Sequence, residues 1–370
     1  MKLQQLINKF QHRLSNYFFN KSLYNPLPLL RIFLCFTISR SYSKVFIEGK
    51  SIVAFDFFEG TFYQPILLRF VPVPFPLTVE QFHTLGIILF IVAFLASIGL
   101  LTRIMLFLTG CIYLYIEMSY ASFGTFDHEA CLVSQLLIFM TFAPGVERIS
   151  LDRMLSWSIY YVKRKKLNFF VYMVGEPPVA WGIRFVLIFL SLIYFTAGYS
   201  KVRYTGWRWL DGKTLSYYVS GEPSIFKKVD AQRFISEENI PESQKWKDGF
   251  GIQAHHYANF QASPFKQNLG KFIASVPAIM IGLSIFTLVF EMGAPIMLLG
   301  GWYRIVVLLM AISLHQGIGF FMGLPFYPYQ KICLLMLDWE LIVKTLYKRF
   351  ELFRKLVSYL SLKLKISIID

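Results

Sequence analysis

The sequence predicts an all-α protein, a polytopic transmembrane helical bundle of about eight spans within a range of six to nine. Three observations predict it. The chain of 370 residues is 55% apolar and only 16% charged, and its mean hydropathy of +0.50 lies above that of ordinary soluble domains of this size. Its apolar residues gather in runs near the roughly 20 residues that cross a hydrocarbon core about 30 Å thick. Its basic residues gather between those runs, so the formal charge of +15 points to anionic lipid headgroups as partner rather than to nucleic acid.

Residues 1–22 place Leu3, Leu6, Ile7, Phe10, Leu14 and Tyr17 on one helical face and Lys2, Lys9 and Arg13 elsewhere, the pattern of an amphipathic helix lying in the membrane interface. A mitochondrial transit peptide shares that chemistry and stays open as a reading. A removable secretory signal is not expected, because no apolar run precedes a small-residue cleavage site. A transmembrane domain, 23–343, holds eight apolar stretches: 27–46, 83–101, 104–120, 126–143, 183–199, 272–299, 305–324 and 329–343. The first, fourth and last are short or polar for a span. Arg31, Arg40 and Lys44 in the first must snorkel or face the bundle interior. A long outer-side loop is expected over 200–271, and 344–370 forms a basic amphipathic tail with a further interfacial helix.

Orientation follows from short loops, where Lys and Arg accumulate on the cytoplasmic side. Residues 1–26 hold Lys2, Lys9, Arg13 and Lys21 with no acid. Arg148, Arg153 and Lys163 to Lys166 follow the fourth stretch, and seven basic residues from Lys344 to Lys365 lie in the tail. Eight alternating spans put all three clusters on one side, together with the turn arginines Arg103 and Arg304. Both termini are therefore expected in the cytoplasm of a cell with the chain in its inner membrane.

Cys35, Cys111, Cys131 and Cys333 sit inside apolar runs without CxxC or zinc-ligand spacing, so neither a disulfide framework nor a metal is expected. Ionisable residues within spans are expensive and so mark functional candidates. Glu291 and His315 lie 11 and 13 residues from Trp302 at the turn between two spans, hence at similar depth, and are expected to touch as an intramembrane pair. A structural interhelical hydrogen bond and a part in binding or proton transfer both fit that pair. In Thr125-Phe126-Asp127-His128-Glu129-Ala130, Asp127 reads as a helix cap, whereas His128 suits a relay or an anion contact at the membrane edge. Lys201 closes the fifth stretch after Ala197 and Gly198. It reads as a snorkelling lysine or, if desolvation lowers its pKa, as a neutral amine acting as general base.

Taken in order, Tyr24-Asn25-Pro26 with Leu30-Arg31, Gly99-Leu100-Leu101-Thr102-Arg103, His128-Glu129, Ser150-Leu151-Asp152, Ala197-Gly198-Tyr199-Ser200-Lys201 with Trp209, and Glu291 with His315-Gln316-Gly317 resemble the horizontally transferred transmembrane domain. That domain is the membrane core of the vitamin K-dependent γ-carboxylases, and the resemblance runs from about Leu23 to Leu341. In that family a lysine in such a context acts as base toward reduced vitamin K. Oxygen turns the hydroquinone into a stronger base that removes a glutamate γ-hydrogen, CO2 adds, and the quinone leaves as an epoxide.

The resemblance implies Lys201 as catalytic base and His128 as its partner. The span count independently puts both at the outer edge in one pocket, where Arg40 and Lys44, in the outer half of the first stretch, add positive potential and are expected, with Glu129, as substrate- or anion-binding residues. The resemblance also implies a reduced quinone, O2 and CO2 as reactants, no metal, and a glutamate-containing or small secreted peptide as partner. The carboxylases carry a large lumenal region after the membrane domain, whereas 27 residues follow Val343 here. In length the chain resembles short bacterial members, among them proteins that mature a sporulation-delaying peptide toxin. Two functions are therefore expected: a quinol- and oxygen-dependent enzyme of carboxylase or epoxidase type, or a non-catalytic maturation, export or immunity factor for a small secreted peptide. A transporter is a third reading, carried only by Pro277 and Pro295 bracketing one span.

Overall fold

The computed structural model describes residues 2–43, 66–75, 77–121, 128–163, 169–220, 263–322 and 326–364. Their regular elements are all helices, joined by turns and short loops, and the β pairing among them is a single antiparallel bridge between Lys21 and Val179. In chain order the helices are α1 (Lys2–Phe19), α2 (Leu27–Thr37) with a π-turn Ile38–Tyr42, α3 (Ile66–Arg69), α4 (Val79–Ile98), α5 (Thr102–Ala121), α6 (His128–Met140), α7 (Leu151–Lys163) and α8 (Phe169–Val174). Then come α9 (Trp181–Thr205) with a 3-10 turn Gly206–Asp211, α10 (Lys213–Val219), α11 (Pro264–Ala274), and α12 (Pro277–Gly293) with a 3-10 turn Ala294–Leu299. The chain ends with α13 (Gly301–Met322), α14 (Tyr327–Met336), α15 (Trp339–Arg349) and α16 (Glu351–Leu364).

Four helical stretches are long and apolar enough to cross a membrane: Glu80–Ile98, Trp181–Asp211, Pro277–Leu299 and Gly301–Phe321. Between 33 and 44% of each is buried inside the protein, so more than half of each apolar surface faces outward. Ile87, Ile91, Phe94, Leu192, Ile285, Val289, Val306 and Leu309 all stand exposed. Water would penalise such a surface at about 25 cal/mol per Å2, whereas lipid tails solvate it. The inward faces form one core, in which Leu30, Leu89, Leu106, Leu136, Leu187, Met297, Leu308 and Ile332 are almost fully covered.

Thr78 and Gln81 form a capping box that starts α4. At the other end of that helix the chain reversals lock onto buried polar groups, and Gly99 ends α4 in the left-handed region at φ 75°. A Cβ on Gly99 would lie 2.4 Å from Ser150 Cβ and 2.7 Å from Arg31 Nη1, so only glycine fits. Leu101 also takes positive φ, at 46°, a strained state for a branched side chain. Asp152 offsets it by accepting from the amides of Leu101 (2.8 Å) and Thr102 (2.7 Å) and from the Thr102 hydroxyl (2.8 Å). Arg31 is fully buried and donates to the Ile149 carbonyl at 2.7 Å. Arg103 donates to the Thr141 carbonyl and pairs with Glu147 at 2.9 Å.

Several expected boundaries move. The fifth span does not stop at Tyr199: α9 continues to Thr205 and the 3-10 turn to Asp211, so the expected loop over 200–271 begins as helix. Its first half yields α10 and its end α11, while 221–262 lies outside the described residues. The eighth stretch does not run unbroken to Val343, because Leu337 leaves helical geometry and the Asp338 carboxylate caps α15 by accepting from Leu341 N at 3.2 Å. The tail is divided between α15 and α16 at Phe350, whose ψ of 115° is extended. In the first stretch, Arg31 faces the interior and Arg40 stands exposed in the π-turn, while Lys44 lies outside the described residues.

Asp152→Ala is expected to destabilise the fold by about 2 kcal/mol, because it strips acceptors from two amides and a hydroxyl at a strained turn. Asp152→Asn, which keeps one acceptor oxygen, should lose less. Thermal unfolding of both variants in one detergent measures the difference.

Candidate functional site

Helical spacing puts Tyr194, Gly198 and Lys201 on one face of α9, at intervals of four and three residues. That face meets α12. A Cβ on Gly198 would fall 2.9 Å from Glu291 Cβ and 3.1 Å from Met292 N, so the glycine sets how closely the two helices approach. The approach brings Lys201 Nζ to both Glu291 oxygens, at 2.8 and 2.7 Å. Lys201 keeps 23% of its side-chain surface exposed and Glu291 only 8%.

The 3-10 turn completes the site. Gly206 ends α9 at φ 55°, where a left-handed residue redirects the chain. Gly212, at φ 73°, lies so near the backbone of Met280 and Ile281 that a Cβ there would stand 2.8 Å from either. Between these glycines the turn runs along α12. Trp209 donates its Nε1 hydrogen to the Ser284 carbonyl at 3.2 Å, and its ring centroid lies 5.1 Å from Lys201 Nζ. Lys201 Nζ thus sits between a carboxylate and an aromatic face.

Pairing distinguishes this site from a snorkelling lysine. α9 runs one turn past Lys201 to Thr205 before Gly206 redirects the chain, and Glu291 is the fifteenth of the 23 residues in Pro277–Leu299. Lys201 reaches that mostly enclosed carboxylate, which unpaired would cost several kcal/mol.

A second polar layer lies about 10 Å along α9, seven residues back at 1.5 Å per residue. The Tyr194 hydroxyl meets His315 Nε2 at 2.9 Å and Cys333 Sγ at 3.6 Å. The His315 ring packs 5.2 Å from both Tyr329 and Phe326, and Phe290 packs 5.1 Å from Tyr194. Sequence reasoning expected Glu291 and His315 to touch. In the hydrogen bonds described, Glu291 is joined to Lys201 and His315 to Tyr194, so both residues are tied to α9. The missed partner, Tyr194, carries no sequence signal that separates it from the other tyrosines of apolar runs.

His128 and Glu129 open α6, at the end opposite the Arg31 network, but their side chains lie outside what the structure describes. The expected pocket shared by His128 and Lys201 therefore falls partly outside the described residues, as does any contribution from Lys44. Among the described residues no cluster of three or more His, Cys, Asp or Glu suits a metal ion. No protein-family model, curated protein or solved structure matches the chain.

Removing either partner of the pair strands a buried charge, whereas removing both does not. Lys201→Met and Glu291→Met are each expected to lower stability by about 3 kcal/mol, and the double variant by clearly less than their sum. Thermal unfolding of the four proteins in one detergent closes that cycle.

Proposed function

We propose that the chain is a multi-pass membrane enzyme in which the Lys201–Glu291 pair moves a proton from a hydroxyl group of an apolar, aromatic substrate of the reduced-quinone class. The observation that carries this reading is the asymmetry of the pair. Glu291 is enclosed while Lys201 remains partly open beside the Trp209 ring. An amine base needs that arrangement: one side turned to a proton store, the other to a ligand.

The chemistry of the residues fits such a ligand, since Trp209 offers an aromatic face and Lys201 Nζ a hydrogen-bonding group beside it. When bound, a reduced quinone supplies the hydroxyl proton and the electrons that O2 takes up in the family this chain resembles. Glu291 lies at hydrogen-bonding distance to receive a proton from Lys201 Nζ, which leaves a neutral amine beside a neutral acid. Lys201 Nζ can then accept the ligand's proton, leaving the negative charge on the ligand oxygen beside the new ammonium and the Trp209 ring, and Glu291 returns to the carboxylate when it gives up its proton. In this reading His128 and Glu129 approach from α6, Arg40 and Lys44 add positive potential, and CO2 joins O2 as co-reactant.

The same reading takes the bundle as eight passages with both termini on the cytoplasmic side of a cell's inner membrane. It is supported by the gathering of the N-terminal ends of α2, α5, α9 and α13 and the C-terminal ends of α4, α6 and α14 at the arginine-lined end. Positive loops belong on that side.

One observation favours a non-catalytic factor that matures, exports or confers immunity to a small secreted peptide. Both Glu291 oxygens are occupied by Lys201, as in a structural lock between α9 and α12. The two readings separate on Lys201. If it is a base, quinol-dependent O2 uptake by the purified protein falls by about 100-fold or more in Lys201→Ala. Lys201→Arg then fails equally, because arginine keeps the charge but does not deprotonate. Undiminished uptake in either variant, or no uptake by the wild-type protein with any quinol, removes the enzymatic reading.

A further inference from the structure

At the arginine-lined end a cavity of about 100 Å3 lies where the N-terminal ends of α2, α9, α13 and α15 meet. Ser22, Tyr24, Arg184, Arg304, Asp338 and Glu340 give it its polar wall. A water needs only some 10–15 Å3 of such space, so a tetrahedral oxyanion fits with room for solvent. The cavity is distant in sequence and in the bundle from Lys201, and nothing in the proposed chemistry uses it.

The wall carries two arginines and two carboxylates, and the carboxylates are already held by groups of the protein. Asp338 is committed to the protein: it caps α15, accepts from the Gly301 amide at 3.2 Å and lies 3.7 Å from Arg304 Nη1. Glu340 is held by Lys344 at 2.8 Å. Burial pushes the Tyr24 hydroxyl up to about 12, so it stays a neutral group, and it donates to the Leu335 carbonyl. Arg304 is 93% buried by residue surface, its exposure being 7%, and its Nε–H has no hydrogen-bond partner. Arg184 stacks over the Tyr17 ring at 4.5 Å, makes no ion pair among the described residues, and likewise has an unpartnered Nε–H.

Two guanidinium groups facing one cavity repel each other and leave donors unused unless an anion joins them. The helix ends add to this. The first turn of α9 has no side-chain cap, that of α2 has only Asn25 Oδ1 accepting from Leu27 N at 3.2 Å, and the positive ends of helix dipoles favour anions. Arginine pairs hold phosphate oxygens through parallel N–H donors.

We infer that the cavity between α2, α9, α13 and α15 binds a phosphate-bearing anion on Arg184 and Arg304. Its source is either the headgroup of an anionic lipid, whose phosphate sits at the depth of helix ends, or free phosphate from the aqueous side.

The test uses the full chain, delipidated in a maltoside detergent that carries no phosphate. Inorganic phosphate is titrated against chloride at constant ionic strength, and phosphatidylglycerol is titrated against diacylglycerol, with the unfolding temperature as readout. Stabilisation by phosphatidylglycerol alone assigns the site to the lipid leaflet. Stabilisation by inorganic phosphate assigns it to a free anion, and both outcomes support the site. Arg184→Gln and Arg304→Gln should each weaken the response at least about tenfold. Arg304→Gln also loses its contact with Asp338 and can unfold for that reason, so Arg184→Gln, which breaks no ion pair, carries the decision. No stabilisation by either probe, an equal effect of diacylglycerol, or an undiminished response in Arg184→Gln overturns the inference.

Discussion

A carboxylate placed inside an apolar helix stretch needs a cation at hydrogen-bonding distance, and much of the bundle is arranged to supply one to Glu291. Lys201 reaches it only because Gly198 lets α9 and α12 approach to backbone contact. The approach in turn extends α9 through Gly206 into the turn that lays Trp209 along α12. Each step follows from avoiding an unpaired charge in low dielectric. The same pairing leaves the lysine, rather than the carboxylate, as the open member, which is what an amine acting on a ligand requires.

Polar groups are distributed along the bundle in layers with separate duties. At the arginine-lined end, Arg31, Asp152, Thr102 and Arg103 satisfy the carbonyls and amides of chain reversals that have strained or glycine-only geometry. Farther along α9, Tyr194, His315 and Cys333 form a layer packed among aromatic rings. Beyond it comes the Lys201–Glu291 pair. The first layer saturates backbone groups, whereas the pair couples two ionisable side chains, and only the latter has protons to exchange. The cavity beside Arg184 and Arg304 differs from all three, since its two guanidinium groups line one open space.

Lys201, Glu291 and His315 are legible as unusual because each interrupts an apolar run, and their cost in lipid marks them whatever the fold. Their partners were not legible. Depth counted from a turn places Glu291 and His315 level, yet it carries no information about which way each points around its helix axis. Lys201 was taken for a span end because Lys201 and Arg203 follow one another at the close of an apolar run. A charge paired across a helix interface has the same local sequence as one that reaches for water, and the difference lies 90 residues away in Glu291. Asp338 posed the reverse problem: read as part of a continuing apolar stretch, it is the cap that ends one helix and starts the next.

The sequence by itself determined that the protein is helical, with stretches long and apolar enough for a bilayer, and which few charged residues had to be accounted for. Composition and periodicity carry that information because transfer of apolar surface and of charge depends on residue type before it depends on neighbours. Only the tertiary structure decided that Lys201 faces Glu291, that Tyr194 takes His315, that α9 runs on past its charges, and that Arg184 and Arg304 share a cavity. Those are facts of helix rotation and crossing, set for Tyr194 with His315 and for Arg184 with Arg304 by packing among residues more than 100 positions apart. A local pattern does not contain them.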